Sequence, residues 1–254
     1  MKQQVEIKIG DKMFTIQTGV MAKQADGAAL ISYGDSVVLT TVVSGEPRES
    51  DFGDEDFLPL TVDYREKTSA AGKIPGGFFK REGRPTTEEI LTMRLIDRPM
   101  RPLFPSGFKN EIQIMSMVLS AEKDFDPDTL AINGASAALM LSSIPFNGPM
   151  GAVRIGRVND KLVVNPTIPE LKMSSLDLVI VGTADAVLMV EGGAKEVAEE
   201  VLLEAIEFGH NYIKELVKLQ KKLIPIKPKQ EVPLVEVDQK LYKELKDKFS
   251  KEIK

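Results

Sequence analysis

"AAGKIPGGFFKREGRPTTEEILTMRLIDRPMRPLFPSGF", residues Ala70 to Phe108, divides into two parts with opposite instructions to the backbone. In the first part Gly72, Gly76, Gly77 and Gly83 interrupt every short apolar pattern, so Arg65 to Arg84 reads as an open, mobile segment. In the second part Thr86 supplies an N-cap and Glu89, three residues on, completes a capping box, while Pro85 discourages any earlier helix. A helix therefore starts at Thr86. It is expected to stop near Asp97 or Arg98, because Pro99, Pro102 and Pro105 follow.

Upstream of this stretch the pattern has a period of two. Val5 to Ile9 and Met13 to Gln17 alternate around Gly10-Asp11-Lys12, a hairpin signal, and Ala28 to Tyr33 and Ser36 to Val43 repeat it around Gly34-Asp35. Leu58 to Tyr64 and Glu111 to Leu119 read as further strands. Asp128 or Thr129 is expected to cap a second helix, whose Gly134-Ala135-Ser136-Ala137-Ala138 surface suits close packing. Residues 151–164 and 176–191 contain four short strands with turns at Asn159-Asp160 and at 182–185. From Ala194 to Leu223, apolar residues at helical spacing predict a long helix. Gly192-Gly193, just before it, reads as a turn. Pro225, Pro228 and Pro233 mark a linker, and Asp238 opens a last helix that reaches Lys254 without a glycine cap, as if cut from something longer.

The chemistry is narrowed by what is scarce. The chain has no cysteine and one histidine, His210, so thiolate zinc, disulfides and a histidine-based triad cannot be assembled from it alone. His210 falls within the helical stripe and reads as structural. No P-loop, dinucleotide-binding fingerprint or nucleophile elbow is present. Met1 to Gly10 lacks an apolar h-region, and Thr129 to Ile144 is too short and polar to span a bilayer, which points to a cytoplasmic protein without a membrane partner.

Net charge is -5, yet Lys73 to Lys109 carries eight cations against four acids. Such a window focuses polyanion binding on one surface of an anionic body. Within it, Phe78 and Phe79 stand beside Lys80, Arg81 and Arg84, the combination that stacks unpaired bases and guides phosphates in single-strand recognition. The alternative is that both rings fold back onto the body. Arg94 and Arg98, at i and i+4, repel unless an anion lies between them, and Arg101 continues the series. Pairing with Asp97 and nearby acids is the alternative there.

Together with "NGASAALMLSSIPFNGPMGAVRIG" (Asn133 to Gly156) and "LDLVIVGTADAVLMVEGGAKEV" (Leu176 to Val197), the opening stretch resembles the first half of bacterial polynucleotide phosphorylases. The resemblance covers essentially the whole chain. It implies an α+β fold: an RNase PH-like core of ribosomal protein S5 domain 2-like βαβ architecture over residues 1–225, with subdomains of about 1–145 and 146–225. A linker over 226–237 and the start of an all-α domain over 238–254 would follow. In that family two such cores, a helical domain and KH and S1 domains form a homotrimeric ring. The ring degrades RNA from the 3' end with inorganic phosphate and magnesium, and other proteins of RNA degradation can join it. By this resemblance Phe78, Phe79, Lys80, Arg81 and Arg84 match the pore constriction, and Arg94, Arg98 and Arg101 would face the neighbouring catalytic core. The phosphate-binding glycine-serine run of the catalytic copy is replaced here by Asp126-Pro127-Asp128. Of its metal-binding and acid-base segment only Asp177 remains, with Leu171 and Val179 at the other places. No catalytic residue, metal site or bound cofactor is therefore expected in this segment.

Overall fold

The computed structural model describes residues 2–47, 58–78, 80–223, 225, 228–230 and 239–250. Two antiparallel hairpins begin the fold: β1 (Gln3–Ile9) with β2 (Lys12–Thr18), and β3 (Gly27–Tyr33) with β4 (Ser36–Pro47). Gly10 and Gly34 turn them with φ of 58° and 59°, a region in which a Cβ is strained. β5 (Leu60–Glu66) runs parallel to β6 (Asn110–Ser120), and the sheet order is β1-β2-β3-β4-β6-β5. Parallel neighbours need a crossover, which the helix α1 (Thr87–Met100) supplies. The capping box at Thr86 and Glu89 forms as the sequence predicts. The helix, however, continues to Met100, through Pro99. A proline this close to a C-terminus removes a single bond to the carbonyl four residues earlier, and Pro99 and Met100 are buried.

The helix α2 (Asp128–Leu141) is buried over almost its whole circumference. It lies between the first sheet and a second one of order β10-β9-β7-β8, made of β7 (Gly151–Val158), β8 (Lys161–Val164), β9 (Leu176–Gly182) and β10 (Val187–Ala194). Its small residues permit this approach. A Cβ on Gly134 would lie 2.5 Å from Thr40 Oγ1, and one on Gly27 would lie 2.1 Å from the Ala138 carbonyl oxygen. Contrary to expectation, the N-cap is Pro127, with Asp128 in the first turn. Its carboxylate is drawn sideways by partners from another element, described below.

Buried amides fix the two sheets against each other. Asn133 donates from Nδ2 to the Ala152 carbonyl and accepts the Ala152 N–H, so α2 acts as an extra pairing partner for β7. Ser136 donates to Gln220 Oε1, while Gln220 Nε2 donates to the Met150 carbonyl. Gln220 closes the helix α4 (Glu199–Gln220), which starts later than the apolar stripe suggests because β10 extends through Ala194. Gly192 and Gly193 are strand residues, not a turn. They pair with Leu178 and Asp177, and a Cβ on Gly192 would lie 1.8 Å from the Asp177 carbonyl oxygen. His210 donates from Nε2 to the Thr183 carbonyl, 2.9 Å away, in keeping with its structural reading.

A short helix, α3 (Ile168–Met173), follows β8 behind its own capping box at Thr167 and Glu170, a signal the sequence reading passed over. Most of the proline-rich linker lies outside the described residues. Lys229 is described, and its ammonium donates to the Leu139 and Ile144 carbonyls at the end of α2. The last helix, α5 (Gln239–Phe249), lies within the expected span of 238–254, and its expected cap, Asp238, and residues 251–254 lie outside the described residues.

Candidate nucleic-acid interface

The loop between β5 and α1 carries the predicted aromatics and cations. It opens with a 3-10 turn, Thr68–Ala71, closed by Gly72. Gly77 has φ of 84° and Lys80 has φ of 47°, both on the positive side that L residues seldom adopt. Lys80 is a side-chain-bearing residue held in the left-handed region. Such local strain persists only where the surroundings fix it.

Phe78 is 93% exposed, so this ring is not folded back onto the body. Phe79 lies outside the described residues. Lys80, Arg81 and Arg84 are exposed, and none of them makes an ion pair among the described residues.

Although its glycines suggest a mobile loop, Glu82 ties it down. Its Oε1 accepts the Thr68 N–H at 2.8 Å and the Thr68 hydroxyl at 3.1 Å, and Lys67 lies 3.6 Å from its other oxygen. The far end is fixed by Glu89, which accepts from the Thr86 N–H at 2.7 Å and the Glu66 N–H at 3.0 Å. Burial alone would raise the Glu89 carboxyl, but these backbone donors outweigh it and hold the group below its ordinary range. Charged groups thus restrain the loop from below, while its cations face outward.

The three arginines of the α1 region have different situations. Arg94 is exposed and makes no ion pair among the described residues. Arg98 pairs with Glu191 of β10. Arg101 meets Asp97 through two bonds, Nε to Oδ2 at 2.7 Å and Nη2 to Oδ1 at 2.8 Å, and also donates to the Leu58 and Leu60 carbonyls. It secures the start of β5 to the end of α1, and the intramolecular alternative holds for Arg98 and Arg101. The structure therefore groups Phe78, Lys80, Arg81 and Arg84 on one loop and leaves Arg94 available beyond it. Arg101 is engaged within its own chain.

At the N-terminus of α2, Arg154 is the residue that sequence reasoning missed. It projects from β7 into three carboxylates. Nη1 donates to Asp177 at 2.9 and 3.1 Å, and Nη2 donates to Asp128 at 2.7 Å and Asp126 at 3.2 Å. Asp128 is almost fully buried and also accepts the Thr129 N–H. Burial, followed by the neighbouring Asp126 charge, pushes its carboxyl up to about 7 despite the guanidinium. The guanidinium itself is held charged by its three partners against its own burial.

The helix N-terminus is thus occupied by the protein's own acids, and those acids are bound by the protein's own cation. A magnesium ion would have to displace Arg154 from every carboxylate in the cluster. The residues present do not fit a phosphate or divalent-metal site. Among the described residues no group of three or more His, Cys, Asp or Glu has metal-binding geometry, and no helix is long and apolar enough to cross a membrane.

Two stacked β-sheet units joined by one buried helix, with an exposed aromatic and basic loop, match a known class. The chain belongs to the 3' exoribonuclease family, whose domain 1 matches residues 11–145 and whose domain 2 matches residues 148–212. Within that family it is similar to polyribonucleotide nucleotidyltransferases. It is 52% identical over 242 residues to that of Heliobacterium modesticaldum, covering 94% of this chain and 34% of the relative, and 48% identical over 255 residues to that of Methylacidiphilum infernorum, covering 100% and 36%. The chain thus spans about a third of the length of these relatives. The RNase PH-like fold recurs in rice Rrp46, with a TM-score of 0.65 at 15% identity, covering 82% of this chain and 92% of that one. It recurs also in the Archaeoglobus fulgidus exosome with RNA bound to its active site, with a TM-score of 0.64 at 19% identity, covering 86% and 87%.

Proposed function

We propose that this chain is the non-catalytic, RNA-gripping core of a phosphate-dependent 3'-to-5' exoribonuclease that releases nucleoside diphosphates. The observation that carries the reading is the exposed Phe78 beside Lys80, Arg81 and Arg84, outward cations on a loop restrained by Glu82. In this reading Phe78 and Phe79 stack bases, and the three cations hold the flanking phosphates. Stacking tolerates any base, because every base has a π-face, and phosphate contacts carry no sequence information, so the grip is indifferent to sequence. Such indifference suits an enzyme that shortens RNA one nucleotide at a time. Arg94 extends the cationic track along α1, while Arg98 and Arg101 brace the helix through Glu191 and Asp97.

The Arg154 cluster supports assigning catalysis elsewhere. Phosphorolysis needs phosphate to attack phosphorus while charge builds on the transferred group, and three aspartates oppose an anion there. Inorganic phosphate and magnesium would work in a second core beyond this segment. A homotrimeric ring in the cytoplasm would bring three copies of the Phe78 loop around one strand, and other proteins of RNA degradation would dock outside it.

Replacing Phe78 and Phe79 together with alanine tests the grip. Each stacked base contributes roughly 1 to 3 kcal/mol, so fluorescence anisotropy with poly(A) should show more than a tenfold loss of affinity. Unchanged affinity overturns the assignment.

A further inference from the structure

A groove of about 500 Å³ opens between the end of β5, the loop from Pro75 to Arg84 and the outer face of β6. Its floor is unusual for an outward sheet face. Alternation along β6 turns Ile112, Ile114, Ser116 and Val118 inward, which leaves Met115 and Met117 facing out, with Met115 38% exposed. Parallel pairing sets Arg65 of β5 beside Met117, and Arg81 and Arg84 line the groove from the loop.

The acids of the groove are already engaged. Glu82 accepts from Thr68, Glu89 from Thr86 and Glu66, and Glu66 accepts the Tyr64 hydroxyl at 2.5 Å. Arg65, Arg81 and Arg84 make no ion pair among the described residues. Two thioethers share the groove with four cations, Arg65, Lys67, Arg81 and Arg84, against the three carboxylates of Glu66, Glu82 and Glu89, which makes an apolar seat with a net positive rim. Unbranched methionines adapt to an aromatic face, and guanidinium forks suit phosphate oxygens. Gly76, which also lines the groove, is two residues from Phe78, a reach of at most about 7 Å. The groove thus begins within two residues of Phe78.

We propose that this groove is a nucleotide subsite, in which one base of single-stranded RNA lies on Met115 and Met117 while Arg65, Arg81 and Arg84 hold its phosphates. The proposal rests on the RNA-binding reading of the Phe78 loop and extends it by one nucleotide. It makes Arg65, outside the basic stretch of the loop, an RNA contact.

The test uses this chain and a fluorescein-labelled eight-nucleotide oligo(A), with an abasic residue moved along it one position at a time. Met115→Ala with Met117→Ala should weaken binding about threefold to tenfold and abolish the abasic penalty at one position, while a penalty assigned to Phe78 persists. Arg65→Gln, a variant that leaves the methionine floor intact, should lower the slope of log affinity against log salt by about 0.7, the value for one lost phosphate contact on a single strand. Both variants are checked by thermal melting. If Phe78→Ala weakens binding but these variants keep every abasic penalty and the full salt slope, the subsite is refuted and the loop assignment stands. If Phe78→Ala has no effect either, the loop reading fails and the subsite falls with it.

Discussion

Arg154→Met should reveal how strongly the carboxylate cluster depends on one cation. Methionine preserves the unbranched stem and removes the guanidinium, leaving three acids without a counter-charge. Their side chains are 5% exposed for Asp128, 41% for Asp126 and 44% for Asp177, so only Asp128 loses a partner in a dry environment. Stranding a buried charge costs about 3 to 5 kcal/mol, and the two half-exposed acids add little because water screens them. Protonation of Asp128 relieves part of this, which puts the loss near the lower figure, about 3 kcal/mol at pH 8. For a chain of this size that is a fall in Tm of about 6 to 12 °C. The pH dependence identifies the cause. With its carboxyl pushed up to about 7, Asp128 of the parent protein is mostly charged by pH 8, whereas that of the variant must still lose its proton. Because the parent carboxyl is only half ionised at pH 7, the penalty should grow by about 1 kcal/mol between pH 7 and pH 8 and be smaller still at pH 5. Denaturation followed by circular dichroism at the three pH values measures it. A shift below about 1 kcal/mol at pH 8, or one that is the same at every pH, would refute the reasoning.

Asp128→Asn isolates the same titration. Because the folded pKa of Asp128 is raised, the parent protein loses stability from this group as pH climbs from about 4 to about 7, and the asparagine variant should lack about 2 to 4 kcal/mol of that decline. Parallel stability profiles for the two proteins would count against the burial of a charged Asp128. Gly27→Ala inserts a methyl 2.1 Å from the Ala138 carbonyl oxygen, and forcing α2 away from β3 should lower stability by about 2 to 3 kcal/mol in a urea titration. An unchanged midpoint would mean that the helix is not seated as closely as described.

The parts of the fold that were legible in sequence are those set by local rules. Period-two alternation around Gly10-Asp11 and Gly34-Asp35 locates the hairpins, and Thr86 with Glu89 locates the start of α1. Errors arose where tertiary contacts overrode local preference. Pro99 stays helical because its neighbours are buried, and Gly192-Gly193 are held in β10 by pairing with Leu178 and Asp177, at a place where the Asp177 carbonyl admits no Cβ on Gly192. The site divides in the same way. The Phe78 loop is contiguous in sequence and could be read directly, but its anchor, Glu82, acts through Thr68, fourteen residues away. Arg154 lies 26 residues from Asp128 and 23 from Asp177, on a strand whose sequence gives no hint that its guanidinium enters an acidic cluster. Packing of α2 against β7 brings Asp128 to Arg154, and pairing of β9 with β7 brings Asp177.

Release of ADP from poly(A) by this chain, in phosphate buffer with magnesium, tests the division between gripping and cutting most directly. The account predicts that the chain retains poly(A) on a filter yet liberates no ADP until a second, catalytic core of the family is supplied. Phosphate-dependent ADP release by the 254-residue chain alone would place working chemistry in it and contradict the account.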